Sequence, residues 1–210
     1  MDVREAYNSW AVQYDENVNR TRDLEAIALR ENLMAVHFDS CLEIGCGTGK
    51  NTKWLINRTK EVVAVDFSEE MLNRSKAKID SDKVTFHLAD IRQSWDFATK
   101  KFDLITFSLV LEHMDDLDSI FKKSSDSISA GGYLYLGELH PYKQYAGTKA
   151  RFETEDGLQI VTCYNHHVSE FVLSAQKYGF ELIDLKEYFD ENDRNSLPRI
   201  LTILFKKGND

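Results

Sequence analysis

Short apolar runs alternate with helix-like stretches along most of the chain. Cys41-Leu42-Glu43-Ile44 predicts a buried strand that breaks at Gly45-Cys46-Gly47-Thr48-Gly49, and a helix is expected from there to about Asn57. Val62 to Val65 predicts a second strand ending at Asp66. Ser68 then offers an N-cap, with Glu69 and Glu70 in the first turn where the helix dipole favours acids. Val84 to Leu88 predicts a third strand, ending at Ala89-Asp90, and Phe102 to Leu109 a fourth, followed by a polar helix. Gly131-Gly132 turns into a fifth, Tyr133 to Leu136. Strand and helix at this pitch imply right-handed βαβ units and a mostly parallel, doubly wound α/β sheet. Phe180 to Leu185 and Ile200 to Phe205 are joined by a loop containing Pro198 and are expected to close the sheet as an antiparallel pair.

Two regions depart from this alternation. In residues 1–38, Thr21 is the expected N-cap of a helix presenting Leu24, Ile27 and Ala28 on one face. Residues 140–167 are polar, and a connection that long inside a domain is usually functional. Beyond it, Val168, Phe171, Val172 and Ala175 trace one helix face and Gly179 is the expected stop.

The length of 210 residues suits a single domain, with 1–38 as a helical cap and 140–167 as an insertion around an acceptor pocket. A formal charge of -9 argues against sequence-independent nucleic-acid binding. No apolar run reaches the ~18 residues of a membrane span, and the N-terminus has no signal-peptide pattern. Cys41, Cys46 and Cys163 form neither an even framework nor a CxxC pair, so reduced thiols and a cytoplasmic location are expected.

The chemistry concentrates at the glycine segment. A Gly-rich turn between a strand and a helix brings backbone N–H groups close to a ligand. The spacing is Gly-x-Gly-x-Gly, whereas dinucleotide binders use Gly-x-Gly-x-x-Gly. Glu43, two positions before the first glycine, suits a cationic ligand better than a pyrophosphate. Asp66, at the end of the second strand, stands where an acid accepts hydrogen bonds from a ribose diol. Asp90 stands where a carboxylate meets an adenine amino group. A nicotinamide cofactor is disfavoured by the loop spacing.

Over roughly residues 38 to 207 the sequence resembles the class I S-adenosylmethionine-dependent methyltransferases. Leu42 to Gly49 resembles their first motif and Val63 to Ser68, with Met71-Leu72, their second. Leu88 to Ile91 and Phe102 to Ile105 resemble the third and fourth, and Gly131 to Leu134 the turn into their fifth strand. The resemblance implies a Rossmann-like seven-stranded sheet of order 3-2-1-4-5-7-6 with strand 7 antiparallel. It implies S-adenosylmethionine as cofactor and S-adenosylhomocysteine as product. By resemblance, Glu43, Gly45 and Gly47 line the methionine part of the cofactor, and Cys46 is a further cofactor-binding residue. By the same resemblance Asp66 holds the ribose, Phe67 or Met71 faces the adenine, and Asp90 with Ile91 meets its edge. Ser108 and Leu109 border the sulfonium, and Tyr14 reaches the carboxylate or else serves as a core aromatic.

His113, soon after the fourth strand, is the first candidate for a base or substrate hydrogen-bonder, because imidazole exchanges protons near neutrality. His140, Tyr142, His166 and His167 are expected to wall the acceptor pocket. Their spacing matches no zinc pattern, and no metal is expected. Phe107-Ser108-Leu109-Val110 replaces the Asn-Pro-Pro-Tyr type segment associated with methylation of DNA adenine or protein glutamine. The expected acceptor is therefore an O or N atom of a small molecule, on a monomer or homodimer. The competing readings are an S-adenosylmethionine-binding protein without transfer activity, and a methyltransferase acting on protein or tRNA.

Overall fold

A computed structural model describes residues 3–154 and 157–209. Its strands are β1 (Ser40–Ile44), β2 (Glu61–Asp66), β3 (Val84–Leu88), β4 (Phe102–Ser108), β5 (Ile128–Leu139), β6 (Arg151–Thr154), β7 (Gly157–Ile160), β8 (Phe180–Tyr188) and β9 (Ile200–Lys207). Seven of them form one sheet of order β3-β2-β1-β4-β5-β9-β8, while β6 and β7 pair separately as a hairpin. The first five are parallel, and β9 runs antiparallel to both β5 and β8. With the hairpin set aside, β8 and β9 are the expected sixth and seventh strands, in the expected order.

Helices cover both faces: α1 (Val3–Trp10), α2 (Arg20–Leu33), α3 (Thr52–Leu55), α4 (Glu69–Lys78), α5 (Leu117–Ser127), α6 (Pro141–Tyr145) and α7 (Val168–Lys177). Successive strand residues point to opposite faces, so each apolar run feeds two cores. Leu42, Ile44, Val63 and Val65 pack with Phe121 of α5 and Phe171 of α7. Cys41, Val62 and Ala64 pack with Leu29 and Leu33 of α2, Leu55 of α3 and Leu72 of α4. Ser68 caps α4 as expected, accepting from Met71 N–H at 3.2 Å.

Two local expectations are corrected. The cap of α2 is Asn19, whose Oδ1 accepts from Arg22 N–H at 3.1 Å; Thr21 Oγ1 instead accepts from Arg199. Its buried face carries Glu25, Ala26, Ala28, Leu29, Asn32 and Leu33, leaving Ile27 exposed. The helix expected up to Asn57 is only four residues long. Trp54, Asn57 and Arg58 each donate to a carbonyl three residues back, which tightens this segment into turns.

The 140–167 segment holds α6 and the β6–β7 hairpin. Phe152 of the hairpin stacks on Trp10 of α1, with ring centroids 5.2 Å apart and planes 11° from parallel. Ala6 and Val161 complete this small apolar cluster, which joins α1 to the insertion beside the strand ends. Tyr164 N–H donates to Glu112 O at 2.7 Å and ties the insertion to the segment after β4. Among the described residues no helix is long and apolar enough to cross a membrane.

Candidate functional site

β1 and β4 are neighbours whose chains leave toward opposite sides of the sheet, which opens a crevice at their C-terminal ends. The glycine segment fills its floor. Gly45 N–H and Cys46 N–H donate to Val65 O at 2.8 and 3.0 Å, strapping the loop to β2. Gly45 has φ 73°, and a Cβ there would lie 2.2 Å from Val110 Cγ2, so only glycine fits. Gly47, with φ 53°, differs: a Cβ built on it meets nothing within 4 Å and projects into open space. Cys46 is buried, and burial pushes its thiol well above the usual range.

Asp66 holds this loop from below. Its Oδ2 accepts from Gly47 N–H at 2.8 Å and its Oδ1 from Ser68 N–H at 2.9 Å. Burial outweighs these bonds and pushes the carboxyl up to about 6. Glu43 is also buried and accepts from Thr52 Oγ1 at 2.6 Å; burial pushes it up to about 8.

A third carboxyl, Glu25 of α2, was not anticipated. Its Oε1 accepts from Ser108 Oγ at 2.7 Å and from the Tyr135 hydroxyl at 3.2 Å, and its Oε2 from Asn51 Nδ2 at 3.0 Å. A Cβ on Gly137 would sit 2.5 Å from Glu25 Oε1, so the glycine admits the carboxyl. Burial pushes Glu25 up to about 7. Asn51 Oδ1, in the same polar group, is buried without a hydrogen-bond partner. Glu25, Glu43, Asn51 and Arg22 line one cavity beside the glycine loop.

Asp66 and Asp90 line the adjoining cleft. Phe67, Met71 and Ile91 give it apolar walls. Asp90 is already engaged: Arg92 pairs with it at 2.6 Å and Arg4 lies 3.8 Å away. The Arg92 side-chain hydrogen bonds hold its carboxyl below the usual range.

A third cavity opens beneath α1, and Tyr14 and Leu109 border all three. Leu109 has φ 58°, a left-handed conformation that costs a branched side chain energy and concentrates at functional sites. Its N–H donates to Gly137 O at 2.8 Å, which helps hold the turn. The Arg22 guanidinium lies 3.9 Å over the Tyr14 ring and donates to the Tyr14 carbonyl. Burial pushes the Tyr14 hydroxyl up to about 12.

His113 ends the short 3-10 turn Leu111–His113 and lines the cleft. Its Nδ1 lies 2.8 Å from Thr162 O, and its Nε2 lies 2.8 Å from the Tyr7 hydroxyl. A carbonyl only accepts, so Nδ1 carries the proton and neutral Nε2 accepts from Tyr7. Tyr7 is a second unanticipated residue, shared between the cleft and the third cavity.

The four residues expected to wall the acceptor pocket serve other ends, and none lines these three cavities. His140 is buried, accepts from Tyr142 N–H as the cap of α6 and turns its Nε2 to Glu187. Tyr142 is 52% exposed. His166 donates to Met114 O at 2.7 Å and packs against Phe171, whereas His167 caps α7 and meets the Tyr145 hydroxyl. Helix capping and packing govern these side chains.

Comparison with known proteins agrees with this geometry. A family model described as a methyltransferase domain matches residues 42–136, from the glycine loop to β5. An uncharacterised methyltransferase of Emericella nidulans is 24% identical over 88% of this chain and 78% of its own length. The ubiquinone biosynthesis O-methyltransferase of Hydrogenovibrio crunogenus is 25% identical over 70% of this chain, which spans 61% of that protein. The N-methyltransferase NodS of Bradyrhizobium japonicum, solved with S-adenosylhomocysteine, superposes with a TM-score of 0.72 at 16% identity, covering 99% of each chain. The acids at the ends of β2 and β3, the glycine loop after β1 and the strand order thus carry one consistent meaning. Residues 42–136 thus carry a methyltransferase domain, and the chain has the Rossmann-like fold of the S-adenosylmethionine-dependent methyltransferases.

Proposed function

We propose that the protein transfers a methyl group from S-adenosylmethionine to an oxygen or nitrogen atom of a small molecule. The residues present fit the cofactor's chemistry. Gly47 leaves open the space a side chain would fill, and Asn51 Oδ1 is a buried acceptor in need of a donor. Glu25 and Glu43 favour a cationic partner beside it, while Arg22, with no carboxylate in ion-pair range among the described residues, favours an anionic one. An amino-acid moiety satisfies both. Asp66 and Asp90 would hold the ribose and the adenine edge, with Phe67, Met71 and Ile91 against the ring; Cys46, Ser108, Leu109 and Tyr14 would enclose the remainder.

When bound, S-adenosylmethionine supplies a methyl group on a positively charged sulfur, open to in-line displacement. Alignment of the acceptor supplies much of the rate in such a reaction. Leu109 and Tyr14, bordering all three cavities, would hold the acceptor against the cofactor. His113 Nε2 would take the proton an O–H or N–H acceptor must lose, in the place where it now accepts from Tyr7. The α1 helix and the 140–167 insertion would exclude water from this point. That enclosure suits a small acceptor better than a polymer.

The observation that carries the reading is the meeting of three cavities at Tyr14 and Leu109, with the Tyr7–His113 pair beside them. The test is S-adenosylhomocysteine production when protein and S-adenosylmethionine are incubated with fractionated metabolite extract. Production that depends on a low-molecular-mass fraction is expected. Cofactor binding with no production from any fraction contradicts transfer activity.

A further inference from the structure

The third cavity has a charge character opposite to that of the chain as a whole. The chain carries -9, yet among the described residues the cavity beneath α1 is lined by Arg20, Arg22, Lys149, Arg151 and Arg199 against a single acid, Glu112. Two of the cations are matched. Arg199 pairs with Asp190, whose carboxyl is held below its usual range by that guanidinium, and Arg20 lies 3.9 Å from Glu191. Arg22 also faces the cavity beside Glu43, where the cofactor's own carboxylate accounts for it. Lys149 and Arg151 remain. Both are exposed, both line this cavity alone of the three, and neither pairs with a carboxylate among the described residues.

Glu112 does not cancel them. It is buried, sits 3.5 Å from Gln144 Nε2, and burial raises its carboxyl above the usual range, favouring the neutral form that can donate. A nearby anion would raise it further. Counted over the described residues, the cavity is therefore net positive, and it is bordered by Tyr7, the partner of His113. Positive charge in a concave site with low-dielectric walls concentrates anions there. It also selects against neutral analogues, which leave the cations without a partner.

We infer that the acceptor is an anion, a small molecule bearing a carboxylate or phosphate group held by Lys149 and Arg151 while its nucleophilic atom faces Tyr7 and His113. This rests on the methyl-transfer reading above and adds the acceptor's charge class. A flat guanidinium suits the paired oxygens of either group, and the lysine adds a flexible point charge.

The test titrates the protein loaded with S-adenosylhomocysteine against benzoate and phenyl phosphate, and against their neutral counterparts benzamide and phenol. Calorimetry at low salt is expected to show at least one of the anions binding tenfold or more tightly than its neutral counterpart. The double variant K149Q/R151Q should lose that preference and keep its affinity for S-adenosylhomocysteine, because both side chains are exposed and line neither of the two cavities that the loop glycines border. Equal binding of anionic and neutral probes, no binding of any probe, or a preference unchanged in the double variant overturns the inference. Failure of the wild-type protein to bind S-adenosylhomocysteine in the first titration instead removes the cofactor reading beneath it.

Discussion

The Tyr7 hydroxyl lies 2.8 Å from His113 Nε2, and the two rings meet edge to face at 5.4 Å. This contact joins the first helix to the segment after β4, across 106 residues of sequence. Burial raises the Tyr7 hydroxyl well above its usual value, so it stays protonated and donates to the imidazole. Thr162 O fixes the opposite nitrogen, leaving Nε2 as the basic nitrogen of this imidazole.

Replacing His113 by Ala should therefore lower turnover about a hundredfold, in the range typical of a positioned acid or base. Cofactor affinity should change less than threefold. Tyr7→Phe should alter the pH profile of turnover while sparing cofactor binding. Steady-state kinetics beside calorimetry checks both, and a His113→Ala protein with normal turnover removes the imidazole from the mechanism.

The two glycines of the loop should respond differently to the same substitution. Gly45→Ala forces a methyl against Val110 and should lower the melting temperature strongly. Gly47→Ala meets no atom, so its cost is the left-handed backbone alone, ~1–2 kcal/mol. Its methyl would enter the cofactor's space, so affinity should fall more than stability. Thermal melts with and without S-adenosylmethionine separate the two effects.

Protonation should couple to both stability and binding. Ordinary values of 4.5 for Glu25 and Glu43 and 3.8 for Asp66 rise to about 7, 8 and 6 in the folded chain. Across that window the folded state keeps protons that the unfolded chain has released. The stability contribution is thus full below the ordinary values and is lost as pH rises through the folded ones. The ligand-free melting temperature should fall between about pH 5 and 8, and Glu43→Gln should shallow the slope. A cationic ligand favours the ionised carboxylates, so S-adenosylmethionine should bind more tightly at pH 7.5 than at pH 6 and release protons. Calorimetry in buffers of different ionisation enthalpy measures that release.

Much of the fold was legible because a central parallel strand buried on both faces leaves an apolar run such as Val62 to Val65, ending at Asp66, while the edge strand β3 keeps an apolar alternation that stops just before Asp90. The glycine loop and the two strand-end acids each sit in a short local pattern, so three segments announce most of the cleft. Glu25 was not legible, since a polar residue in an amphipathic helix normally marks the solvent face. It is buried because Ser108, Asn51 and Tyr135, from three distant elements, supply its partners. Tyr7 owes its place to His113 in the same way. His140 and His167 misled in the opposite sense: their residue type suggests chemistry, but their position at helix N-termini makes them caps. The β6–β7 hairpin escaped notice because Arg151-Phe152-Glu153-Thr154 and Gly157-Leu158-Gln159-Ile160 are too short for a clear alternating pattern.

The most direct measurement is isothermal titration of S-adenosylmethionine into the wild-type protein and Asp66→Ala, each checked for folding by circular dichroism. Asp66 anchors Gly47 and is the proposed partner of the ribose hydroxyls, and hydrogen bonds to a charged group are worth ~1.5–3 kcal/mol. The account predicts saturable binding by the wild type and at least tenfold weaker binding by the folded variant. No binding by the wild type, or equal affinity in the two proteins, would contradict it.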